Sequence, residues 1–193
     1  FRSGARIGDL LYVTGTIGDA SAGLSLLNEP PPSTNRDPWD TTLSMKHRKF
    51  LIKRHLRPTA RIAEGQWLSA DRLATSAIDI SDGLSGDLRH ICEESHVGAD
   101  IDLGALPLSP ACRAYATSRK LDPVNLALTG GEDYELLFTV PPRQRTRLER
   151  TAIERGFSLS CIGEIHPLRF GIQAVSLRGR RHRLINTSYE HFR

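Results

Sequence analysis

A chain of 193 residues with 26 Lys and Arg against 22 Asp and Glu, formal net charge +4, has room for one substantial core and too little for two independent ones. The basic excess is local, at 46–57, 143–155 and 178–183, and aromatic residues do not alternate with it, so these runs read as solvated faces and not as a nucleic-acid interface. Three widely spaced cysteines, Cys92, Cys112 and Cys161, argue against a disulfide scaffold or zinc knuckle and point to a reducing, cytoplasmic setting; no signal segment or membrane-length apolar run is recognised.

In chain order, Gly8-Asp9 marks a turn before a buried strand at Leu10–Thr14. The loop from Gly15 to Asp19 leads into a small-residue helix over 20–27. It lacks the lysine of a P-loop and the spacing of a dinucleotide fingerprint, so close packing explains its glycines better than phosphate does. Pro30-Pro31-Pro32 opens a surface excursion over 30–40, and 41–55 reads as a helix with Phe50 and Leu51 among its apolar positions. Arg57, Pro58 and Arg61 belong to a stiff connection before a short helix through Glu64 and Trp67, where the tryptophan serves packing.

An apolar run over 73–80 predicts a strand, and Leu84, Leu88, Ile91 and Cys92 recur as the buried stripe of a helix. A short strand is expected over 99–103 and a helix over 111–118. Asp122-Pro123 caps another helix, which runs toward Leu128 and stops at Gly130-Gly131. A strand over 134–140 is closed by Pro141-Pro142. The helix over 144–154 turns Leu148, Ala152 and Ile153 inward and ends at Gly156. Strands over 160–165 and 172–177 precede a basic turn at 178–180, with an edge segment at Leu184-Ile185. The alternation predicts an α/β domain, without internal repeats.

Two segments concentrate chemistry. In the first, an apolar run delivers Asp79, Ser81 and Asp82 into a turn at Gly83 before a helix begins. Alternation puts Asp79 and Ser81 on one face of an extended segment, while Asp82 falls near the unpaired N–H groups of a helix start. Hard oxygen ligands beside such an end suit magnesium-dependent phosphate chemistry, but serine and aspartate there are also ordinary caps. Asp87 fits local structure. In the second segment, Gly130-Gly131-Glu132-Asp133-Tyr134-Glu135, the glycines allow close backbone approach to a ligand; taken alone, a capped helix end followed by a charged turn explains it better. Spacing alone does not bring the two segments together.

The ordered set is more specific than either part. It runs from Gly8-Asp9-Leu10-Leu11-Tyr12-Val13-Thr14-Gly15 through Arg57-Pro58 with Arg61, Ile80-Ser81-Asp82-Gly83-Leu84, and Gly130 to Glu135, to Ile162-Gly163 and Tyr189-Glu190-His191-Phe192. The chain thereby resembles the C-terminal portion of the bacterial thiamine-monophosphate kinase family, in the superfamily with aminoimidazole ribonucleotide synthetase and selenophosphate synthetase.

The resemblance implies an α/β fold like the C-terminal domain of aminoimidazole ribonucleotide synthetase, a mixed sheet flanked by helices. Residues 1–193 would form that domain with its leading strand and C-terminal tail, without the family's N-terminal ATP-binding domain. It implies transfer of the terminal phosphate of ATP to thiamine monophosphate with Mg2+, no covalent catalytic residue, and a homodimeric complete protein. Carried over by position, Asp79 and Asp82 resemble metal ligands and Ser81 a contact to nucleotide phosphates. Glu132 and Tyr189 resemble acceptor contacts. The isolated chain is expected to be inactive. The alternatives are another ATP-dependent reaction of the superfamily and a noncatalytic metabolite- or partner-binding domain.

Overall fold

Period-two alternation builds the centre of the molecule. In the computed structural model, which describes residues 2–29, 43–176 and 178–184, Leu11 and Val13 face one side of a sheet and Tyr12 the other. The excursion over 30–40 and Tyr189 lie outside the described residues. The strands are β1 (Leu10–Thr14), β2 (Ser76–Asp79), β3 (Val97–Asp102), β4 (Leu136–Val140), β5 (Leu159–Pro167), β6 (Ile172–Val175) and β7 (Arg181–Arg183). They form one sheet in the order β2-β4-β1-β5-β3-β6-β7, antiparallel throughout except for the β3–β6 pair. This is the mixed sheet that the resemblance implies.

Helices cover both faces. Those in the described residues are α1 (Asp19–Asn28), α2 (Met45–Leu56), α3 (Ile62–Ala70), α4 (Leu84–Ser95), α5 (Pro110–Arg119), α6 (Pro123–Thr129) and α7 (Arg145–Arg155). On one face Leu84, Leu88, Ile91 and Cys92 of α4 pack against Leu11, Val13, Ile78 and Leu137, the predicted stripe doing the predicted job. On the other, Trp67 and Leu68 of α3 and Leu148 and Ala152 of α7 cover Tyr12, Phe138 and Val140. Tyr12 and Phe138 are register partners whose rings stack at 5.7 Å. Trp67 is buried against Phe157, a packing residue as its sequence context indicated. A third cluster joins α1, α2 and α5 through Leu26, Leu51, Cys112 and Tyr115. Cys92 and Cys112 are buried, Cys161 is half-buried, and all three are free thiols.

Several boundaries differ from the sequence expectation for local reasons. Leu73 does not open a strand. It closes α3, donating its N–H to the Leu68 carbonyl after Arg72 turns left-handed at φ 52°, and β2 begins three residues later. Tyr134, also left-handed, cannot extend β4, which starts at Leu136. Ile153 is 79% exposed instead of inward. Asp79, the last residue of β2, is exposed. The edge strand after the basic turn is Arg181–Arg183; of the pair expected there, Leu184 follows it and Ile185 lies outside the described residues. No helix among the described residues is long and apolar enough to cross a membrane.

Candidate phosphate and metal site

The two acidic segments meet. Beyond the last β2–β4 register pair, Ile80 N–H donates to the Glu135 carbonyl at 2.8 Å and Tyr134 N–H to the Ile80 carbonyl at 2.9 Å. Glu132 N–H then reaches the Ser81 carbonyl at 2.9 Å. Gly131 lies against that same carbonyl, where a Cβ would collide with it, so its glycine serves close approach. Gly83 does both jobs of a glycine: its φ is 102°, and a Cβ would stand 3.0–3.1 Å from Leu128 and Thr129 backbone atoms. The start of α4 is thus docked on the end of α6, reinforced by Ser85 Oγ donating to the Leu128 carbonyl at 2.8 Å.

Capping here falls to Asp87, from inside the helix. Its Oδ2 accepts from the N–H groups of Ser81 at 3.0 Å and Asp82 at 3.1 Å, while the N-cap Gly83 has no side chain to offer. The Ser81 and Asp82 side chains instead line a cleft of about 610 Å3 with Ser21, His55, Gly131 and Glu132. Asp82, Asp87 and His90 bring ligand atoms within 4.8 Å of one another. Burial pushes Asp87 up to about 6; the two N–H donors oppose that shift, and the like charges of Asp82 and Asp79 add to it. Crowded hard oxygens are a donor set that a divalent cation relieves, and Asp82 and Asp87 supply them here with a softer nitrogen from His90. Ser81 lines the cleft beside Asp82, whereas Asp79 belongs neither to this cluster nor to the cleft lining.

Behind the cleft lies an ionic network that the sequence reading did not identify. Glu135, fully buried, accepts from Arg61 Nε and Nη2, both at 2.6 Å, from Arg54 Nη2 at 2.8 Å and from Thr14 Oγ1 at 2.5 Å. Its bonds hold Arg61 above the ordinary arginine value. Arg54 also donates to the Thr16 carbonyl and lies 3.6 Å from Asp19. Asp133 accepts from the Gly18 and Ala20 N–H groups at 2.6 and 3.0 Å, so the N-terminus of α1 is filled by the protein's own carboxylate. The one available signal was alternation in 132–135: Asp133 and Glu135 turn inward, Glu132 and Tyr134 outward. Glu132 and Tyr134 adopt φ 66° and 51°, which costs on the order of 1–3 kcal/mol each and persists because the flanking bonds over-determine the turn. His55 Nδ1 stands 3.0 Å from Glu132 Oε2 at the cleft wall.

A pH dependence follows from Asp133. Burial raises it from 3.8 to about 7, against the two N–H donors that lower it. Between those values the folded state keeps a proton that the unfolded chain has released, so this group's contribution to stability falls as pH rises and levels off above about 7. Denaturant unfolding should therefore show the stability advantage of the parent over Asp133→Asn shrinking between about pH 4.5 and about pH 7.5. An advantage that grew across this interval would contradict the burial argument.

Comparison with known proteins agrees with the fold. Residues 6–171 match the family model described as AIR synthase related protein, C-terminal domain. The chain belongs to that family. It is 47% identical over 167 residues to the thiamine-monophosphate kinase of Escherichia coli K12, covering 85% of this chain and 46% of that protein. The solved thiamine-monophosphate kinase of Stenotrophomonas maltophilia K279a matches with TM-score 0.76 and 37% identity, over 90% of this chain and 52% of the other. A structure described as AaThiL complexed with AMPPCP and TMP matches with TM-score 0.76 and 33% identity, over 99% and 53%. The chain thus spans about half the length of the relatives it matches.

Proposed function

We propose that this chain is the part of an ATP-dependent thiamine-monophosphate kinase that supplies one wall of the phosphoryl-transfer site, yielding thiamine diphosphate and ADP. The observation that carries the reading is the joining of Ser81-Asp82 to Gly131-Glu132 in one cleft, in a chain related over most of its length to kinases of that name. Asp82 and Asp79 would hold Mg2+, and the Ser81 hydroxyl would contact nucleotide phosphates. When bound, the metal supplies neutralisation of the phosphate charges that must approach each other. Glu132 contacts and orients the acceptor. The acceptor's phosphate oxygen is itself a nucleophile, so the side chains position and neutralise and no Ser-His-Asp arrangement is needed.

The test is turnover by the complete protein with ATP, Mg2+ and thiamine monophosphate. Phosphorylation of that acceptor supports the reading; its absence together with turnover of another acceptor reverses it. The 193-residue chain alone is expected to be inactive. In the complete protein, Glu132→Gln should raise KM for thiamine monophosphate about tenfold while leaving KM for ATP within about twofold, the loss of one charged contact. Equal effects on both substrates would place Glu132 elsewhere.

A further inference from the structure

The cleft is larger than phosphate and metal require. Ala20, Ser21, Leu24, Ser25 and Asn28 line it along one face of α1, a stretch of about 12 Å at the helical rise. Away from the Ser81-Asp82 end, the wall also carries Tyr134 and Glu132, an aromatic ring and a carboxylate, with His55 Nδ1 3.0 Å from Glu132 Oε2. Tyr134 is 38% exposed and Leu24 42% exposed, large apolar groups shown to solvent inside a concavity. The left-handed turn at 132–134 is what places Glu132 and Tyr134 there together, while Asp133 and Glu135 are spent on the core.

We infer that Tyr134 is a specificity-determining residue whose ring, with Leu24, takes a cationic heteroaromatic ring carried by the acceptor. An aromatic face attracts a delocalised cation, and the neighbouring Glu132 carboxylate adds charge of the right sign. Thiamine monophosphate belongs to this class, with a permanently positive thiazolium and an aminopyrimidine at a distance from its phosphate. The inference rests on the kinase reading and assigns the ring half of the same site.

The experiment uses the complete protein, with steady-state kinetics in both substrates and thiamine, which lacks the phosphate, as a competitive inhibitor. Asparagine tolerates the left-handed conformation, so Tyr134→Asn keeps the turn and removes the ring. It should raise KM for thiamine monophosphate and Ki for thiamine together, each about tenfold or more, with KM for ATP within about twofold. Tyr134→Phe should stay within about twofold of the parent throughout, since the ring face is kept. If the parent phosphorylates thiamine monophosphate and Tyr134→Asn leaves its KM unchanged, the inference is overturned and the kinase reading stands. If the parent does not use that acceptor, both fall. Should Tyr134→Asn not fold, Leu24→Ser at an exposed position carries the same test: a raised acceptor KM supports the wall, and an unchanged one overturns it.

Discussion

Asp82→Asn in the complete protein is expected to lower Mg2+-dependent transfer by on the order of 10²-fold or more, with little loss of stability. Asparagine keeps the shape of the side chain and removes the charge that a hard cation needs. The backbone supports this separation of roles. Asp87, not the Asp82 carboxylate, accepts from the Ser81 and Asp82 N–H groups and ties the turn to α4. The variant should therefore retain its unfolding midpoint, and raising Mg2+ should recover part of its rate. Near-parental turnover at limiting Mg2+ in a correctly folded variant would remove Asp82 from the metal site. Asp79→Asn should behave similarly and, because Asp79 is exposed, should leave stability unchanged.

The elements that position this site were largely legible from the sequence, since they rest on periodic burial. The α4 stripe of Leu84, Leu88, Ile91 and Cys92 and the alternation of Leu11, Tyr12 and Val13 left little freedom in how those segments pack. What escaped was set by contacts distant in sequence. Leu73 looks like the first residue of a strand because an apolar residue closing a helix has the same composition; its bond to Leu68 makes the difference. Likewise nothing local in Arg54 or Arg61 announces a buried carboxylate more than 70 residues away, where the pairs are separated by 81 and 74 positions. Arginines beside a proline turn look solvent-facing until the partner is found. The union of the two acidic segments was hidden for the same reason: Ser81 and Glu132 are joined by the continuation of a strand pairing, which spacing does not encode.

Glu135→Gln is expected to produce the largest loss of stability of any single change at the site. Glu135 is the common acceptor for Arg54, Arg61 and Thr14, and no part of its side chain reaches solvent. The amide would leave two guanidinium groups sharing Asp19 and Glu64, at 3.6 and 3.4 Å, and would set an NH2 against donors. Breaking a buried pair in this way costs about 3–5 kcal/mol, because the surviving charges stay desolvated. Denaturant unfolding would show it as a lower midpoint at unchanged slope. A loss below about 1 kcal/mol would mean that the cluster is hydrated and contributes little. The same change should weaken acceptor use, since the strained Glu132–Tyr134 turn is fastened to this network through Asp133 and Arg54.

Donor and acceptor phosphates are proposed to meet in one cleft, walled by Ser81-Asp82 on one side and Gly131-Glu132 on the other. The measurement that tests this most directly is a structure of the complete protein with Mg2+, a non-hydrolysable ATP analogue and thiamine monophosphate. The expected result is metal on the Asp82 carboxylate, nucleotide phosphate at the Ser81 hydroxyl and the acceptor lying along α1 beside Glu132. A fully ordered acceptor and metal bound elsewhere, with this cleft holding neither, would contradict it.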